Sequence, residues 1–252
     1  MKDYITEICP KPDIDYPLNI KYEKTPYYLK ICNLVNPVEI LEIGSYMGKS
    51  AIEWQRSSIT KNNKAGAKVY CLDTWLGSIE HYLSTVGDYW SIKSLSIDEK
   101  GPTIFDQFLS NIYKSSLEKK IIPLRGDSKA VLPYLGKINK KFDIVYIDGA
   151  HDPFSVYQDV FNSLSLITQQ GLICGDDFSS NYVKDGVLMA FLRSRKKIRN
   201  IYKGLNDNKF IILTKESKLN EKDIIELKYE KFGIKRYLLK RFFHYLKKFL
   251  NT

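Results

Sequence analysis

Three aspartates and a histidine, in the runs Ile147-Asp148-Gly149-Ala150-His151 and Gly175-Asp176-Asp177, carry the clearest chemical signal in this chain. Each run follows a short apolar stretch that reads as a buried strand. Oxygen-only ligands suit Mg²⁺ or Mn²⁺ rather than zinc. Three carboxylates gathered without a cation repel one another and resist ionisation. Asp148, Asp176 and Asp177 are therefore expected to hold a divalent metal, with His151 in reach of the same centre. The competing reading is three solvated loop acids. Their clustering with His151 at neighbouring strand ends favours a site.

A second group lies upstream. In Glu42-Ile43-Gly44-Ser45-Tyr46-Met47-Gly48-Lys49-Ser50, two glycines four apart sit where a strand turns into a helix. The backbone there can approach a ligand closely, and the helix N-terminus offers free N–H groups. The spacing is one residue short of the nucleotide-hydrolase phosphate loop. Asp73, in Cys71-Leu72-Asp73-Thr74-Trp75, ends the next strand, where an acid can accept from ribose hydroxyls or merely form a turn. It lies 29 residues after Gly44, against the ~20 of the dinucleotide fingerprint. In Arg125-Gly126-Asp127-Ser128, Asp127 either caps the following helix or accepts from an adenine amino group.

The elements that must position these residues alternate along the chain. Strands are expected over 38–43, 68–72, 120–124, 142–147, 172–175 and 210–214. Helices are expected from Thr25-Pro26 to about residue 34, then over 48–57, from Pro102 onward, and over 129–135, 153–166 and 186–195. Short apolar strands alternating with helices imply an α/β fold with a parallel sheet covered on both faces. Ligands of such sheets sit at the C-terminal strand ends, where the strand order reverses. Residues 1–35 read as an arm and helix, 36–215 as the ligand-binding body and 216–252 as a tail. The stretch 74–101 is too long for a routine loop and reads as a functional insertion over the site.

The 252 residues carry 39 Lys+Arg against 29 Asp+Glu, a net charge of +10. From Arg193 onward there are 18 Lys/Arg and 6 Asp/Glu, a net +12. Hydrophobic residues make up 44% and aromatic residues 13%, enough for a large core and not a disordered chain. The four cysteines form no CxxC pair, which excludes a disulfide scaffold. No run reaches the ~18 apolar residues of a membrane span. The polar start Met1-Lys2-Asp3-Tyr4 lacks a hydrophobic signal region, so a cytoplasmic location is expected. Over 234–250, Ile234, Leu238, Phe242, Tyr245, Leu246, Phe249 and Leu250 share one side of a helical wheel. That helix is expected to pack on the core or a second copy, or to lie on an anionic membrane surface. Nucleic acid is not an expected partner.

Taken together, residues 38–50, Leu72-Asp73-Thr74-Trp75, Ile147–His151 and Gly175-Asp176-Asp177 resemble class I S-adenosylmethionine-dependent methyltransferases. The branch is the one with the macrocin and mycinamicin sugar O-methyltransferases and the cephalosporin hydroxylase-like proteins. Asp73-Thr74-Trp75-Leu76-Gly77-Ser78 and residues 102–109 add to the likeness, which covers about 36–195. It implies a Rossmann-like, doubly wound, mostly parallel seven-stranded sheet. It implies that Glu42, Gly44, Ser45, Tyr46 and Gly48 surround the methionine end of the cofactor. Asp73 would hold the ribose hydroxyls, with Thr74 and Trp75 beside it; Asp127 and Ser128 would face the adenine, and Asp148 would border the cofactor. Asp148, Asp176 and Asp177 match the metal ligands, and His151 matches the general base.

The chemistry is coherent with a sugar-containing acceptor. Methyl transfer from a sulfonium is an in-line displacement, so the enzyme mainly positions an oxygen. A metal lowers the pKa of a sugar hydroxyl, and a base removes its proton. With an ordinary pKa near ~6.5, His151 would be neutral at pH 7 and serve as that base. Two other readings compete. One is a nicotinamide-dependent oxidoreductase, disfavoured by the glycine spacing and the Asp176-Asp177 pair. The other is a non-catalytic cofactor- and metal-binding module, which has no need of His151.

Overall fold

The computed structural model describes residues 9–20, 25–83, 92–99 and 101–241. The elements in chain order are α1 (Pro26–Val35), β1 (Glu39–Ile43), α2 (Lys49–Ser57), β2 (Lys68–Asp73), α3 (Ile79–Leu83), the β3–β4 hairpin (Ile97–Asp98 and Gly101–Pro102), α4 (Ile104–Lys114), β5 (Ile121–Arg125) and α5 (Ser128–Lys137). There follow β6 (Phe142–Ile147), α6 (Pro153–Ser163), β7 (Ile167–Gly175), α7 (Asn181–Arg193), β8 (Ile198–Gly204), β9 (Phe210–Thr214), α8 (Glu221–Glu226) and β10 (Tyr229–Lys231).

The main sheet has the order β10-β8-β9-β7-β6-β1-β2-β5. The five strands from β7 to β5 pair in parallel, and β9, β8 and β10 add antiparallel at one edge. Alternate residues of each strand point to opposite faces. Thus Ile40, Ile144 and Tyr146 join one core with Tyr28, Trp54 and Phe108 of α1, α2 and α4. Leu41, Val145 and Ile147 join the other with Val156 and Val187 of α6 and α7. Covered on both faces, the parallel strands are mostly apolar, and the fully buried Glu42 of β1 breaks the pattern. The chain winds outward from β1 to β2 and β5, then returns to place β6 on the other side of β1. The strand order therefore reverses between β1 and β6, and the ends of these two strands are the place for a ligand.

The α/β, mostly parallel architecture agrees with expectation, and four details differ. The sheet has eight strands, not seven, because the three-residue β10 extends the edge. β8 was not legible, since Arg199, Asn200 and Lys203 interrupt its apolar pattern. Pro102 does not open α4; it ends β4, and Thr103 stands between them. β7 begins at Ile167, five residues before the expected strand, because Gln169 and Gln170 are solvent-facing strand residues.

The segment from 216 is not wholly a tail, since α8 and β10 belong to the body. Residues 234–241 are helical. Ile234 packs against the core, Tyr237 Oη donates to Asp185 Oδ1 at 2.8 Å, and Arg241 pairs with the same carboxylate. Leu238 and Leu239 face solvent. Phe242, Tyr245, Leu246, Phe249 and Leu250 of the expected wheel lie outside the described residues, as does 84–91 of the insertion. Among the described residues, no helix is long and apolar enough to cross a membrane.

Residues 9–20 run beside α4. The backbone of Asp13, Tyr16 and Asn19 donates to Asp106, Ser110 and Asn111, at 2.9, 3.0 and 3.1 Å. Gln107 Nε2, Ser110 Oγ and Tyr113 Oη return bonds to the carbonyls of Pro17, Ile14 and Cys9.

Candidate functional site

The turn after β1 is built on two glycines with positive φ, 87° at Gly44 and 84° at Gly48, which other residues reach only with strain. A Cβ on Gly44 would stand 2.2 Å from the Asp148 carbonyl oxygen. The ends of β1 and β6 are thus in backbone contact. The N–H groups of Ser45 and Tyr46 both donate to Asp73 Oδ2 at 2.9 Å, and Trp75 N donates to Oδ1 at 2.8 Å. Asn111 Nδ2 holds the Met47 carbonyl at 2.9 Å.

At the base of this turn Glu42 is fully buried. Its Oε1 has no partner, and Oε2 lies 3.8 Å from Cys71 Sγ. Burial pushes its carboxyl up to about 7. Trp75, expected to flank the cofactor, is instead a core residue. Its indole packs on Phe105 and Phe108, and its Nε1 donates to the Tyr46 carbonyl at 2.8 Å. It stiffens the turn from below. Thr74 Oγ1 accepts from Leu76 N. Asp127 caps α5, accepting from Lys129 N at 2.9 Å, and remains exposed beside Ser128 at the end of β5.

The acids meet at the ends of β6 and β7. Asp148, His151 and Asp177 each present a ligand atom, all within 4.8 Å of one another. Burial and the neighbouring Asp176 push the Asp148 carboxyl up to about 7. Asp177 adopts a positive φ of 56°, which turns its carboxylate toward His151. Its Oδ2 lies 2.8 Å from His151 Nε2, and its Oδ1 accepts from Asn208 Nδ2 at 3.1 Å. A small cleft beside them is lined by Asp148, His151 and Asp176, with Val156, Val183 and Phe210 as its apolar wall.

Two expectations change here. Asp176 lies beside Asp148, with Tyr146 Oη bonding to both, but falls outside the 4.8 Å group of Asp148, His151 and Asp177. Its Oδ1 accepts from Asp177 N at 2.9 Å, and its Oδ2 pairs with Lys209 Nζ and accepts from Tyr146 Oη at 3.1 Å. His151 does not stand alone as an ordinary imidazole. It bridges Asp177 and Glu80, whose Oε2 lies 3.0 Å from Nδ1, and these two carboxylates, Asp177 foremost, raise its pKa to about 10. His151 lowers the pKa of both acids in return.

Three residues of this centre were missed. Glu80 comes from α3, inside the insertion. Asn208 and Lys209 come from the turn into β9. A lone lysine ahead of a strand gives no signal, because its partner is set by β9 lying antiparallel beside β7.

Residues 41–178 match a family of methyltransferase domains. No curated protein matches the chain. Among solved structures, the chain is similar to the O-methyltransferase NovP, with 14% identity over 74% of this chain and 77% of that one, at a TM-score of 0.55. It is similar to an O-methyltransferase from Bacillus cereus in complex with SAH, with 18% identity over 77% and 83% of the two chains, at 0.52. It is also similar to an SAH-bound Podospora anserina methyltransferase, with 16% identity over 75% and 76%, at 0.52. At such identities the likeness establishes the fold.

Proposed function

The chain belongs to the methyltransferase-domain family, with the class I fold, and from that premise we propose an S-adenosylmethionine-dependent, metal-assisted O-methyltransferase whose acceptor is a sugar hydroxyl. The observation that carries this reading is the double placement of Asp148. Its carbonyl abuts Gly44 of the glycine turn, and its carboxylate belongs to the cluster with His151 and Asp177. One residue thus joins a cofactor cradle to a cation site, as a reaction between a methyl donor and a metal-oriented hydroxyl requires.

The residues present fit both groups. Gly44 lets the turn after β1 pack directly on the Asp148 backbone, and Glu42 Oε1 is a buried acceptor without a donor. Glu42 and the turn of Ser45 and Tyr46 would hold the methionine end. Asp73 has about one of its four lone-pair sites left for a ribose hydroxyl. Thr74, Asp127 and Ser128 would border the nucleoside. Asp148 and Asp177, with Asp176 in the same cleft, would hold Mg²⁺ or Mn²⁺, and His151 stands beside them.

When bound, the cofactor supplies the methyl group and the metal supplies positive charge that lowers the acceptor's pKa. The chain's own residues orient the acceptor and move its proton. His151, held between Glu80 and Asp177, would take that proton as the base. Glu80, Asp177 and His151 form a polar rim suited to a hydroxyl-rich acceptor.

Calorimetry with S-adenosylmethionine, with and without Mg²⁺, tests the cofactor and the metal separately. Exhaustive chelation is expected to abolish transfer, and Mg²⁺ or Mn²⁺ to restore it. Full activity after chelation removes the metal from the reading. Labelled-methyl transfer to a panel of glycosides and simple phenols tests the acceptor, and label confined to phenols rejects a sugar.

A further inference from the structure

Glu80 reaches the centre from α3, a five-residue helix inside the insertion, and local contacts hold it there. Ser78 Oγ donates to its Oε2 at 3.2 Å. The next residue, His81, is buried and accepts from Ser78 N through Nδ1 at 3.0 Å. Its ring stacks on Tyr46 of the turn after β1, with centroids 6.3 Å apart. Tyr82 Oη donates to the Leu76 carbonyl at 2.7 Å. The helix is thus fastened both to its own approach and to the proposed cofactor cradle. Glu80 lies outside the close group of Asp148, His151 and Asp177. Its partner is the imidazole: Oε2 lies 3.0 Å from His151 Nδ1, while Nε2 faces Asp177 Oδ2 at 2.8 Å. The ring therefore has two unlike ends, one toward the insertion and one toward the acids.

We propose that Glu80 is the positioning residue for His151: it takes the Nδ1–H, so that Nε2 is the atom that receives the acceptor's proton. This inference rests on the methyltransferase reading above. The partner of one ring nitrogen decides which tautomer a histidine adopts and where the other nitrogen points. With Glu80 in place, Nδ1 keeps its proton throughout. A hydroxyl proton passing to Nε2 then makes an imidazolium, whose new charge the Glu80 carboxylate stabilises. Without that carboxylate the ring is free to carry its proton on Nε2, and that tautomer has no basic nitrogen toward the acids. The insertion thus completes the centre by orienting a base that the end of β6 supplies.

Two measurements test it, and the first needs no acceptor. In the full chain with isotope-labelled histidine, the Hδ1 resonance of His151 is followed by NMR. Its loss in His151→Gln identifies it among the three histidines. It is expected to be protected from solvent exchange in the wild type. Glu80→Gln, whose amide oxygen can still accept, is expected to keep it, and Glu80→Ala to lose it. The second measurement is labelled-methyl transfer across the panel of glycosides and phenols. Glu80→Ala is expected to lower kcat roughly 10²-fold, the low end of what a positioned base contributes, with KM for S-adenosylmethionine unchanged. In a His151→Ala background the same substitution is expected to cost nothing further. A protected Hδ1 that survives in Glu80→Ala, or a further loss of kcat in the His151→Ala background, overturns the inference while the methyltransferase reading stands. Absence of transfer in the wild type overturns that reading, and the Hδ1 comparison still decides whether Glu80 sets the ring.

Discussion

Asp73 Oδ2 accepts the backbone N–H of Tyr46 at 2.9 Å, which makes the acid at the end of β2 a clamp on the turn after β1. The same oxygen takes Ser45 N, and the other takes Trp75 N. Hydrogen bonds to a charged acceptor contribute about 1.5–3 kcal/mol each. Asp73→Ala is expected to lower unfolding free energy by about 3 kcal/mol in urea titrations and to weaken S-adenosylmethionine binding. Loss of binding with unchanged stability would show that Asp73 serves the ligand alone.

Gly44 and Gly101 both have positive φ, but only Gly44 faces an obstacle. A Cβ on Gly101 meets nothing within 4 Å, whereas one on Gly44 meets the Asp148 carbonyl at 2.2 Å. Gly101→Ala is expected to cost only the backbone strain, about 1–2 kcal/mol. Gly44→Ala must push β1 and β6 apart, and is expected to abolish cofactor binding and leave little folded protein. Circular dichroism melts of the two variants side by side make the comparison.

Burial raises the Glu42 carboxyl from 4.5 to about 7. Between those values the folded chain binds a proton that the unfolded chain has released. The stabilising contribution is complete below pH ~4.5 and lost as pH rises through about 7. Glu42→Gln stays neutral throughout. Relative to wild type it is expected to gain about 2–3 kcal/mol in stability between pH 5 and pH 8, at ~1.4 kcal/mol per pH unit. Parallel pH dependences for the two proteins would sink the claim.

Much of this centre was visible in the residues alone. Asp148 and the Asp176-Asp177 pair stand at the ends of two adjacent strands because an apolar run followed by Gly and Asp fixes where a strand stops. Partner choice was not visible. Asp176 meets Lys209 across 33 residues because β9 lies antiparallel beside β7, a pairing that no local pattern encodes. Trp75 was misplaced for a related reason. An aromatic residue near a ligand turn reads equally as a ligand platform or as core, and the positive φ of 52° at this residue turns the ring inward.

The C-terminal helix divides its residues differently from the wheel. Tyr237 and Arg241 face Asp185, while Leu238 and Leu239 face solvent. The sequence from Arg193 onward also carries a net +12. The full chain is expected to co-sediment with anionic vesicles, less so as salt is raised. Equal binding to neutral vesicles, or none to either, rejects an electrostatic membrane contact.

The arm of residues 9–20 has one further consequence, for which substitutions this chain tolerates. Helix α4 grips the arm mainly through the arm's peptide groups, at Cys9, Asp13, Ile14, Tyr16, Pro17 and Asn19. The recognising side chains all belong to α4: Asp106, Gln107, Ser110, Asn111 and Tyr113. Recognition through peptide groups ignores what the side chains are. Between Cys9 and Ile20, which pack with the core, the arm is therefore open to mutational drift, apart from Asp15, paired with Lys114, and Asn19, whose Nδ2 reaches Met47 Sδ. The cost of fixing the arm falls on α4, and most heavily on Asn111, which also grips the Met47 carbonyl. A library randomised over 13–19 should keep many folded members, whereas one randomised at Ser110 and Asn111 should keep few.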